Sequence, residues 1–278
     1  MEHQLTKKLS LLLAISLMLA ACSKPEDIAE TANQRFTQSM DWNKSHPSRE
    51  IVVPSDDYLI LSMADSHVGG TNNLDSFFNI AKTRKASAVV MVGDLTTGSE
   101  EDYTVFDKHL PIEDSLQLFF TTGNHDLHYN GWKEFYARYG SSTYLFTVKT
   151  PNATDIYICL ETGGGTLGNM QLDWLINVLQ TLRPNYRHCM VFTHNNFFRT
   201  RHTDSTNPPV EELQVLLELF TKHHVDMVIT GHDHKQDVVV FGITTYIVMD
   251  ALKDGLSNAG YFQIRVKNGN IEYEFENF

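Results

Sequence analysis

The stretch YLILSMADSH, residues 58–67, places an aspartate and a histidine two positions apart directly behind a largely apolar run. The same order recurs in VVMVGD (89–94), FFTTGNHD (119–126), VFTH (191–194) and MVITGHDH (227–234). Short apolar runs that end in Gly, Asn or Asp are typical of strands buried on both faces. Because ligands of open α/β sheets bind at the carboxyl ends of the strands, we expect the polar residues after these runs to share one site.

The segments between and after these runs predict the layers of the fold. Helical patterns lie at 73–83, 132–139, 170–182 and 210–223, and they separate several of the strands. From residue 236 onward the chain is β-rich, with the runs DVVVF, ITTYIVM, YFQIRV and IEYEF between turn residues. Strands that alternate with helices, followed by a run of strands, predict an α/β fold with two sheets face to face and helices outside.

Seven side chains in the five motifs are potential metal ligands. They are carboxylates, imidazoles and one amide: Asp65, His67, Asp94, Asn124, His194, His232 and His234. In extended backbone, residues i and i+2 point to the same side, so we expect the D-x-H and H-x-H pairs each to face one cluster. Taken singly, a GD pair is more often a turn and a lone histidine more often a structural residue. Together, in this order, the residues predict two divalent cations and hence a two-metal hydrolase.

Composition and charge limit the possible partners. The 278 residues suit one large α/β domain, and 42% hydrophobic with 20% charged residues is ordinary for a globular chain. Lys and Arg total 22 against 34 Asp and Glu, a formal charge of −12. A surface this acidic disfavours generic binding of nucleic-acid backbones. It also repels a phosphate substrate, so bound metal cations would have to reverse the field locally.

The N-terminal residues resemble a bacterial export signal. Two lysines precede an apolar run over 9–20, and the stretch LAAC (19–22) at the end of this run resembles the lipobox of bacterial lipoproteins. We therefore expect residues 1–21 to be a signal peptide and Cys22 to carry a lipid that anchors the protein in the bacterial cell envelope. Ser23 favours the outer membrane, on its periplasmic or its exposed face. An ordinary cleaved signal, in which Cys22 is incidental, is the alternative.

The remaining chain divides into a linker and a catalytic domain. Residues 22–52 are mostly polar and predict a tether with one short helix around 28–40, and residues 53–278 form the domain. Cys159 and Cys189 lie in apolar runs, so buried thiols are the expectation. A disulfide in an oxidising envelope is the open alternative.

The motif series D-x-H, G-D, G-N-H-D, H and G-H-x-H, over about residues 58–247, resembles the calcineurin-like metallophosphoesterase superfamily. The resemblance implies a four-layer αββα sandwich, with two mixed β-sheets inside and helices outside. It also implies a first ion held by Asp65, His67 and His234, a second held by Asn124, His194 and His232, and Asp94 as the bridge. Ions of Mn, Fe, Zn, Co or Mg suit these ligand types.

By the same resemblance, the reaction is hydrolysis of a small phosphomonoester or phosphodiester by a hydroxide held between the two ions. His125, inside GNHD, is not needed as a ligand and is the candidate to protonate the leaving oxygen or to stabilise charge there. The alternative function is a non-catalytic scaffold that binds a partner in the cell envelope. Such scaffolds typically lose ligands or the catalytic histidine, and this sequence retains them all.

Two departures from the family pattern narrow the substrate class. The stretch GDLTTGSE (93–100) lacks the Asp-Arg pair of the protein serine/threonine phosphatases in this superfamily, and the third motif ends in Asp126 rather than Glu. Thr97 stands where purple acid phosphatases have a tyrosine. A protein phosphatase of that branch and tyrosinate-iron chemistry are therefore not expected.

Candidate substrate contacts lie in two loops after the motifs. Arg199, Arg201 and His202 follow His194, and they could grip a phosphate or could be scattered charges of a solvated loop. In HYNGW (128–132), the aromatic residues could stack on a base or sugar, or could simply pack.

Overall fold

The computed structural model describes residues 29–112, 116–198 and 209–278. In these residues, helices α1 to α6 span Ala32–Ser45, Asn72–Thr83, Glu100–His109, Gly131–Tyr139, Gly168–Thr181 and Val210–Lys222. Strands β1 to β12 span Glu50–Val52, Tyr58–Met63, Ala88–Val92, Leu118–Thr121, Tyr144–Lys149, Thr154–Cys159, Cys189–Phe192, Met227–Thr230, Asp237–Phe241, Thr244–Val248, Gly260–Lys267 and Asn270–Asn277. Two short 3-10 helices cover His125–Asn130 and Arg183–Asn185.

The strands form two mixed sheets. One has seven strands in the order β1-β5-β6-β7-β8-β10-β9, and the other has five in the order β12-β11-β2-β3-β4. β6, β7, β8 and β10 run parallel in the first sheet, and β2, β3 and β4 run parallel in the second. A parallel bridge between Ala64 and Ala251 links the sheets just past β2 and β10. The carboxyl ends of both parallel sets therefore lie at one end of the sandwich, which we call the carboxyl end.

Three apolar cores hold the layers together. The central core lies between the sheets and includes Ile60 and Phe192. One outer core joins the five-stranded sheet to α2, α3 and α4, and it contains Leu61 of β2. The other joins the seven-stranded sheet to α5 and α6. Because alternate residues of β2 enter different cores, the whole strand is buried, and the fold is the four-layer αββα sandwich that the resemblance implies.

Three elements, α3, β1 and β5, are not evident from the sequence. α3 reads EEDYTVFDKH, and only Tyr103 and Phe106 of it are buried, so its apolar period is too sparse to recognise. β1 has three residues, which is too short for an alternation to be read. β5 carries the residues YLFTVK and pairs antiparallel with β6, but Thr147 and Lys149 interrupt the apolar run that would indicate a buried strand.

The short helix expected within residues 22–52 is present as α1, but in the described part of this segment α1 and β1 pack on the domain and do not form a free tether. A capping box between Thr31 and Gln34 starts α1. Asn33 Oδ1 of α1 accepts the Met170 N–H of α5 at 3.2 Å, and β1 pairs in parallel with β5. The polar composition that predicts a linker is misleading here, since a charged residue of α1 is buried with a partner of opposite charge.

That charged residue is Arg35, whose side chain is 1% exposed. Its Nε donates to Glu161 Oε2 at 2.9 Å, and Glu161 is equally buried. Arg35 also donates to the backbone carbonyl of Glu30, and it packs so closely on Gly164 that a Cβ there would have no room. The ion pair thus fixes α1 to the loop that follows β6.

We expect Arg35→Met to lower the free energy of unfolding by about 3–5 kcal/mol, because it leaves the Glu161 carboxylate buried without its partner. Denaturant unfolding measures the change. Lys44→Met is the matched control, since it breaks an exposed pair with Asp41 and should cost less than about 1 kcal/mol. Equal losses for the two variants would show that the buried pair does not hold α1 in place.

The two cysteines of the domain are free and buried, which confirms the expectation of buried thiols. β6 and β7 pair Ile156 with Cys189 and Cys159 with Phe192, so the cysteines lie at opposite ends of this strand pair. Burial raises the pKa of both thiols to about 12. They are therefore protonated and unreactive at neutral pH.

Candidate metal centre

The seven predicted ligands lie in loops at the carboxyl end of the sandwich. All are buried except His234, which is half-buried. Together with His125, six of them form three overlapping groups, in each of which one potential ligand atom per residue lies within 4.8 Å of the others. The groups are Asp65–His67–His234, His67–Asp94–His125 and Asp94–His194–His232.

The backbone at these ligands is left-handed. The φ angles of five of them are positive: Asp65 57°, His67 40°, Asp94 51°, His232 73° and His234 56°. The expectation of extended backbone at the D-x-H and H-x-H pairs is therefore wrong, although the pairs do face the same centre. Left-handed backbone costs non-glycine residues roughly 1–3 kcal/mol each and persists only where the surroundings hold it. Its concentration here is typical of a functional site.

Glycines let the loops approach each other. Gly93 has a φ of 77°, and a Cβ on it would lie 2.7 Å from His194 Nδ1. A Cβ on Gly231 would lie 2.6 Å from Asp65 Oδ2. Both distances are shorter than carbon contacts allow, so only glycine permits the close approach of these motifs.

Each carboxylate has one oxygen fixed by a backbone amide and one that faces the centre. Asp65 Oδ2 accepts the His232 N–H at 2.8 Å, and Asp94 Oδ1 accepts the His125 N–H at 2.8 Å. The other oxygen of Asp65 lies 3.2 Å from His234 Nε2, without the geometry of a hydrogen bond. Asp94 Oδ2 lies 3.3 Å from His194 Nε2 and 3.7 Å from His67 Nε2. Asp94 therefore stands between the two outer groups.

The histidines face each other through ring nitrogens. The Nε2 atoms of His67 and His234 are 3.1 Å apart, and His232 Nδ1 is 3.2 Å from His194 Nε2. Two ligands of one ion at about 2.1 Å lie roughly 3.0–3.4 Å apart, so both pairs have the spacing of ligands on a shared ion. His194 Nδ1 lies 2.8 Å from the Val92 carbonyl and donates to it, so Nε2 is the nitrogen that faces the centre.

Asn124 supplies a further test of whether a cation fits. Its Oδ1 is buried and accepts no hydrogen bond from any residue that the structure describes, and a buried carbonyl oxygen without a donor is unfavourable. A divalent cation would satisfy that oxygen. The converging carboxylates and imidazoles, with this amide oxygen in the adjoining GNHD loop, fit divalent ions of the transition series or Mg²⁺.

The charges of the centre also favour a cation. Burial lowers the pKa of His194, but the carboxylates of Asp94 and Asp65 outweigh it and raise the pKa to about 10. His67 responds oppositely, because burial dominates and lowers its pKa to about 4. Burial raises the pKa of Asp94, yet His194 and His67 hold it well below the usual range. The centre thus has ionised carboxylates that require positive charge beside them.

His125 lies at the edge of the centre. Its half-buried ring packs edge-on against the His67 ring, with 4.6 Å between the centroids. Burial lowers the pKa of His125. It also shares a group with His67 and Asp94, so its position allows proton transfer to a bound molecule and is within reach of a cation.

Asp126 joins two loops of the site through hydrogen bonds. Its buried carboxylate accepts the backbone N–H groups of Gly123 at 2.9 Å, Thr96 at 2.9 Å and Leu95 at 3.2 Å. Burial, assisted by the charge of Asp94, raises the pKa of Asp126 to about 7. These bonds hold the GNHD loop against the loop that carries Asp94.

The predicted substrate contacts have mixed outcomes. Arg199, Arg201 and His202 lie outside the described residues, as does Cys22. Trp132 is 1% exposed and belongs to an outer core, so it packs. Tyr129 is 75% exposed beside the centre.

One positioning contact is not evident from the motifs. Asn196 Nδ2 donates to Asp233 Oδ2 at 3.0 Å, and this bond ties the loop after β7 to the loop after β8. The sequence feature that could indicate this contact is the amide of Asn196, which follows His194 in HNN. An isolated Asn pair in a loop is too common to be recognised as part of a site.

Comparison with known proteins places the fold. This chain resembles the solved structure of GAP50, the anchor in the inner membrane complex of Plasmodium. The two align at 12% identity and TM-score 0.62, over 80% of this chain and 84% of that one. A dimetal phosphatase from Danio rerio aligns at 12% identity and TM-score 0.61, covering 79% and 96%. A purple acid phosphatase from yellow lupin seeds aligns at 13% identity and TM-score 0.59, covering 81% and 52%. At such identities the likeness shows the fold.

Family membership rests on the sequence match. No curated protein sequence matches the chain significantly. The model of the calcineurin-like phosphoesterase family matches residues 58–236, which is more than half of the chain and spans every motif from D-x-H to G-H-x-H. The chain therefore belongs to the calcineurin-like phosphoesterase family.

Proposed function

We propose that the protein hydrolyses a small phosphomonoester or phosphodiester with two divalent cations. The observation that carries the proposal is the set of three overlapping ligand groups, in which His67 and Asp94 are shared. Asp65, His67 and His234 would hold one cation and His194 and His232 the other, with Asp94 between them. The buried Asn124 Oδ1 would be a further ligand of the second cation. Two cations bound there would lower the pKa of a water molecule and neutralise the phosphoryl oxygens.

The protein's own residues then have distinct tasks. The backbone amides of His232 and His125 orient the carboxylates of Asp65 and Asp94. Hydrolysis breaks the bond between phosphorus and the leaving oxygen, and that oxygen needs a proton as it departs. His125 is placed at the edge of the ligand groups to give this proton or to stabilise the developing charge.

The proposal is tested on purified protein that is stripped of metal and reloaded with Mn²⁺. We expect turnover of a chromogenic phosphomonoester or phosphodiester that disappears with chelator and returns with metal. Whether the monoester or the diester is cleaved faster shows which branch of the family the protein's activity resembles. Protein that binds metal but cleaves neither these esters nor a panel of phosphometabolites would contradict the proposal.

The second candidate function is a scaffold in the cell envelope. It is favoured by one observation, since the same fold occurs in a Plasmodium protein described as an anchor in a membrane complex. Against it stands the complete set of seven ligands and His125 at the carboxyl end. A scaffold has no need of five strained ligand backbones.

We also propose that a lipid on Cys22 anchors the protein in the bacterial outer membrane. In the described part of the chain no helix is long and apolar enough to cross a bilayer. The first described residues lie beside the loop that follows β6, at the carboxyl end of the sandwich: Arg35 holds the Glu30 carbonyl and packs on Gly164. The chain from Cys22 to Glu30 reaches at most about 29 Å. An anchored protein would therefore keep the end of the sandwich that carries the ligand groups close to the bilayer.

We expect Cys22→Ala to move the protein from the membrane fraction to the soluble fraction, or to block its processing, because the lipidated thiol is absent. Fractionation and incorporation of a labelled fatty acid measure this. Ser23→Ala is the control that should keep the anchor. Unchanged membrane association and labelling of the Cys22→Ala protein would remove the lipid anchor.

A further inference from the structure

A row of aromatic rings leads from the ligand groups to the surface. The ring of His125 lies 4.6 Å from that of His67, and the His128 ring lies 4.9 Å from that of His125, tilted by 47°. The Tyr129 ring follows at 6.3 Å from His128, edge to face. His125 and His128 are half-buried, and Tyr129 is 75% exposed. We call His125, His128 and Tyr129 the aromatic wall.

The backbone conformation that exposes the Tyr129 side chain is strained. Tyr129 and Asn130 have φ angles of 54° and 61°, two consecutive left-handed residues without a glycine. The turn is packed, because a Cβ on Gly131 would lie 2.8 Å from the Gly98 carbonyl oxygen. Tyr129 belongs to none of the three apolar cores that the described residues form. Packing therefore explains neither the strain nor the exposure of a large aromatic ring, and both are typical of a binding site.

We propose that the aromatic wall is the subsite for the leaving group and selects phosphoesters whose leaving alcohol carries a planar ring. The proposal rests on the proposed hydrolase function, in which His125 meets the leaving oxygen. A group attached to that oxygen extends away from the cations on the His125 side. There it reaches the half-buried ring of His128 and then the exposed ring of Tyr129.

The chemistry of the wall favours rings over aliphatic chains. Offset or edge-to-face contact between aromatic rings adds attraction beyond the area they bury. Stacking also tolerates different ring substituents, because it uses the face of the ring rather than hydrogen bonds to its edge. The wall thus fits an aryl, benzyl or nucleoside leaving group, and Tyr129 forms its outer end.

The test compares benzyl and n-butyl phosphoesters, in whichever mono- or methyl-diester form the protein cleaves. Both leave as alkoxides of similar basicity, so they differ mainly in the ring. We expect Tyr129→Ala to raise KM about fivefold more for the benzyl ester than for the butyl ester, so that the preference for the ring is lost. Tyr129→Phe should retain the wild-type preference. Tyr273→Ala, an exposed tyrosine on β12, is the matched control.

A binding measurement separates failure of the subsite from failure of the hydrolase proposal. Benzylphosphonate and butylphosphonate are titrated calorimetrically into metal-loaded protein, and we expect about fivefold tighter binding of benzylphosphonate, lost in Tyr129→Ala. If no ester is cleaved but this preference is seen, the subsite stands and the hydrolase proposal falls. Equal affinities in the wild type, or equal losses for both phosphonates in Tyr129→Ala, would overturn the subsite.

Discussion

Asp94→Ala is expected to abolish binding of the metal pair and, with it, hydrolysis. Asp94 Oδ2 lies 3.3 Å from His194 Nε2 and 3.7 Å from His67 Nε2, between the two groups that we propose hold one cation each. Two dications this close repel each other, and a shared carboxylate offsets part of the repulsion. Removal of a residue that only hydrogen-bonds a metal ligand lowers metal affinity by up to about 100-fold. Asp94 would itself be a ligand, so we expect metal affinity to fall by more than this.

A second variant, Asp94→Asn, separates the loss of the charge from the loss of a loop contact. Asp94 Oδ1 also accepts the His125 N–H at 2.8 Å, so alanine removes a loop contact together with the charge. Asp94→Asn keeps an oxygen for that contact and removes only the charge. We expect both variants to lose the metals and to melt near the temperature of the metal-free wild-type protein, because bound metal itself stabilises the folded state. Wild-type metal content in either variant, measured by elemental analysis, would refute the bridging role.

His125→Ala is expected to lower kcat by about 10²- to 10⁴-fold while leaving the metal content unchanged. The reason is that the ring lies beside the ligand groups but is not needed to complete either outer group. Single-turnover hydrolysis and metal analysis of the same preparation measure the two quantities. His46→Ala, which removes an exposed histidine beyond the end of α1, is the control and should leave both unchanged.

The same experiment distinguishes two roles for His125. Its ring belongs to a group with His67 and Asp94, so a ligand role is geometrically open. If His125→Ala loses a cation together with its turnover, His125 is a ligand and another group must protonate the leaving oxygen. If the metals remain and turnover is normal, the catalytic assignment is wrong.

The sheets and the location of the site could be predicted because both follow from local patterns. A buried strand such as YLILSM is apolar along its length, since Ile60 and Leu61 enter different cores, and parallel strands bring their carboxyl ends to one edge. The ligands are polar residues just past those ends. Their order along the chain is therefore enough to predict that they meet.

The features that escaped prediction depend on contacts between distant parts of the chain. Arg35 and Glu161 are 126 positions apart, and without that pair α1 has the composition of a linker. The left-handed backbone at Asp65 and His67 is held by the carbonyls of Gly93 and Asp94. No local propensity indicates such backbone, because strain at a site is imposed by its surroundings.

The loop HYNGW shows the limit of composition most clearly. Trp132 and Tyr129 are both aromatic and lie three positions apart, yet one is 1% exposed and the other 75% exposed. The turn through Tyr129 and Asn130 reverses which side chain faces the protein. The sequence contains both residues but not the direction of that turn, so packing and binding remained open alternatives until the fold was known.

The most direct test of the two-cation site is a titration of metal-free protein with Mn²⁺ while ester hydrolysis is followed. We predict that turnover appears only as the second equivalent binds, because the nucleophile and the neutralised phosphoryl oxygens require both ions. Full turnover after one equivalent would contradict a paired centre. Binding of two equivalents without hydrolysis of any phosphoester would contradict the catalytic function itself.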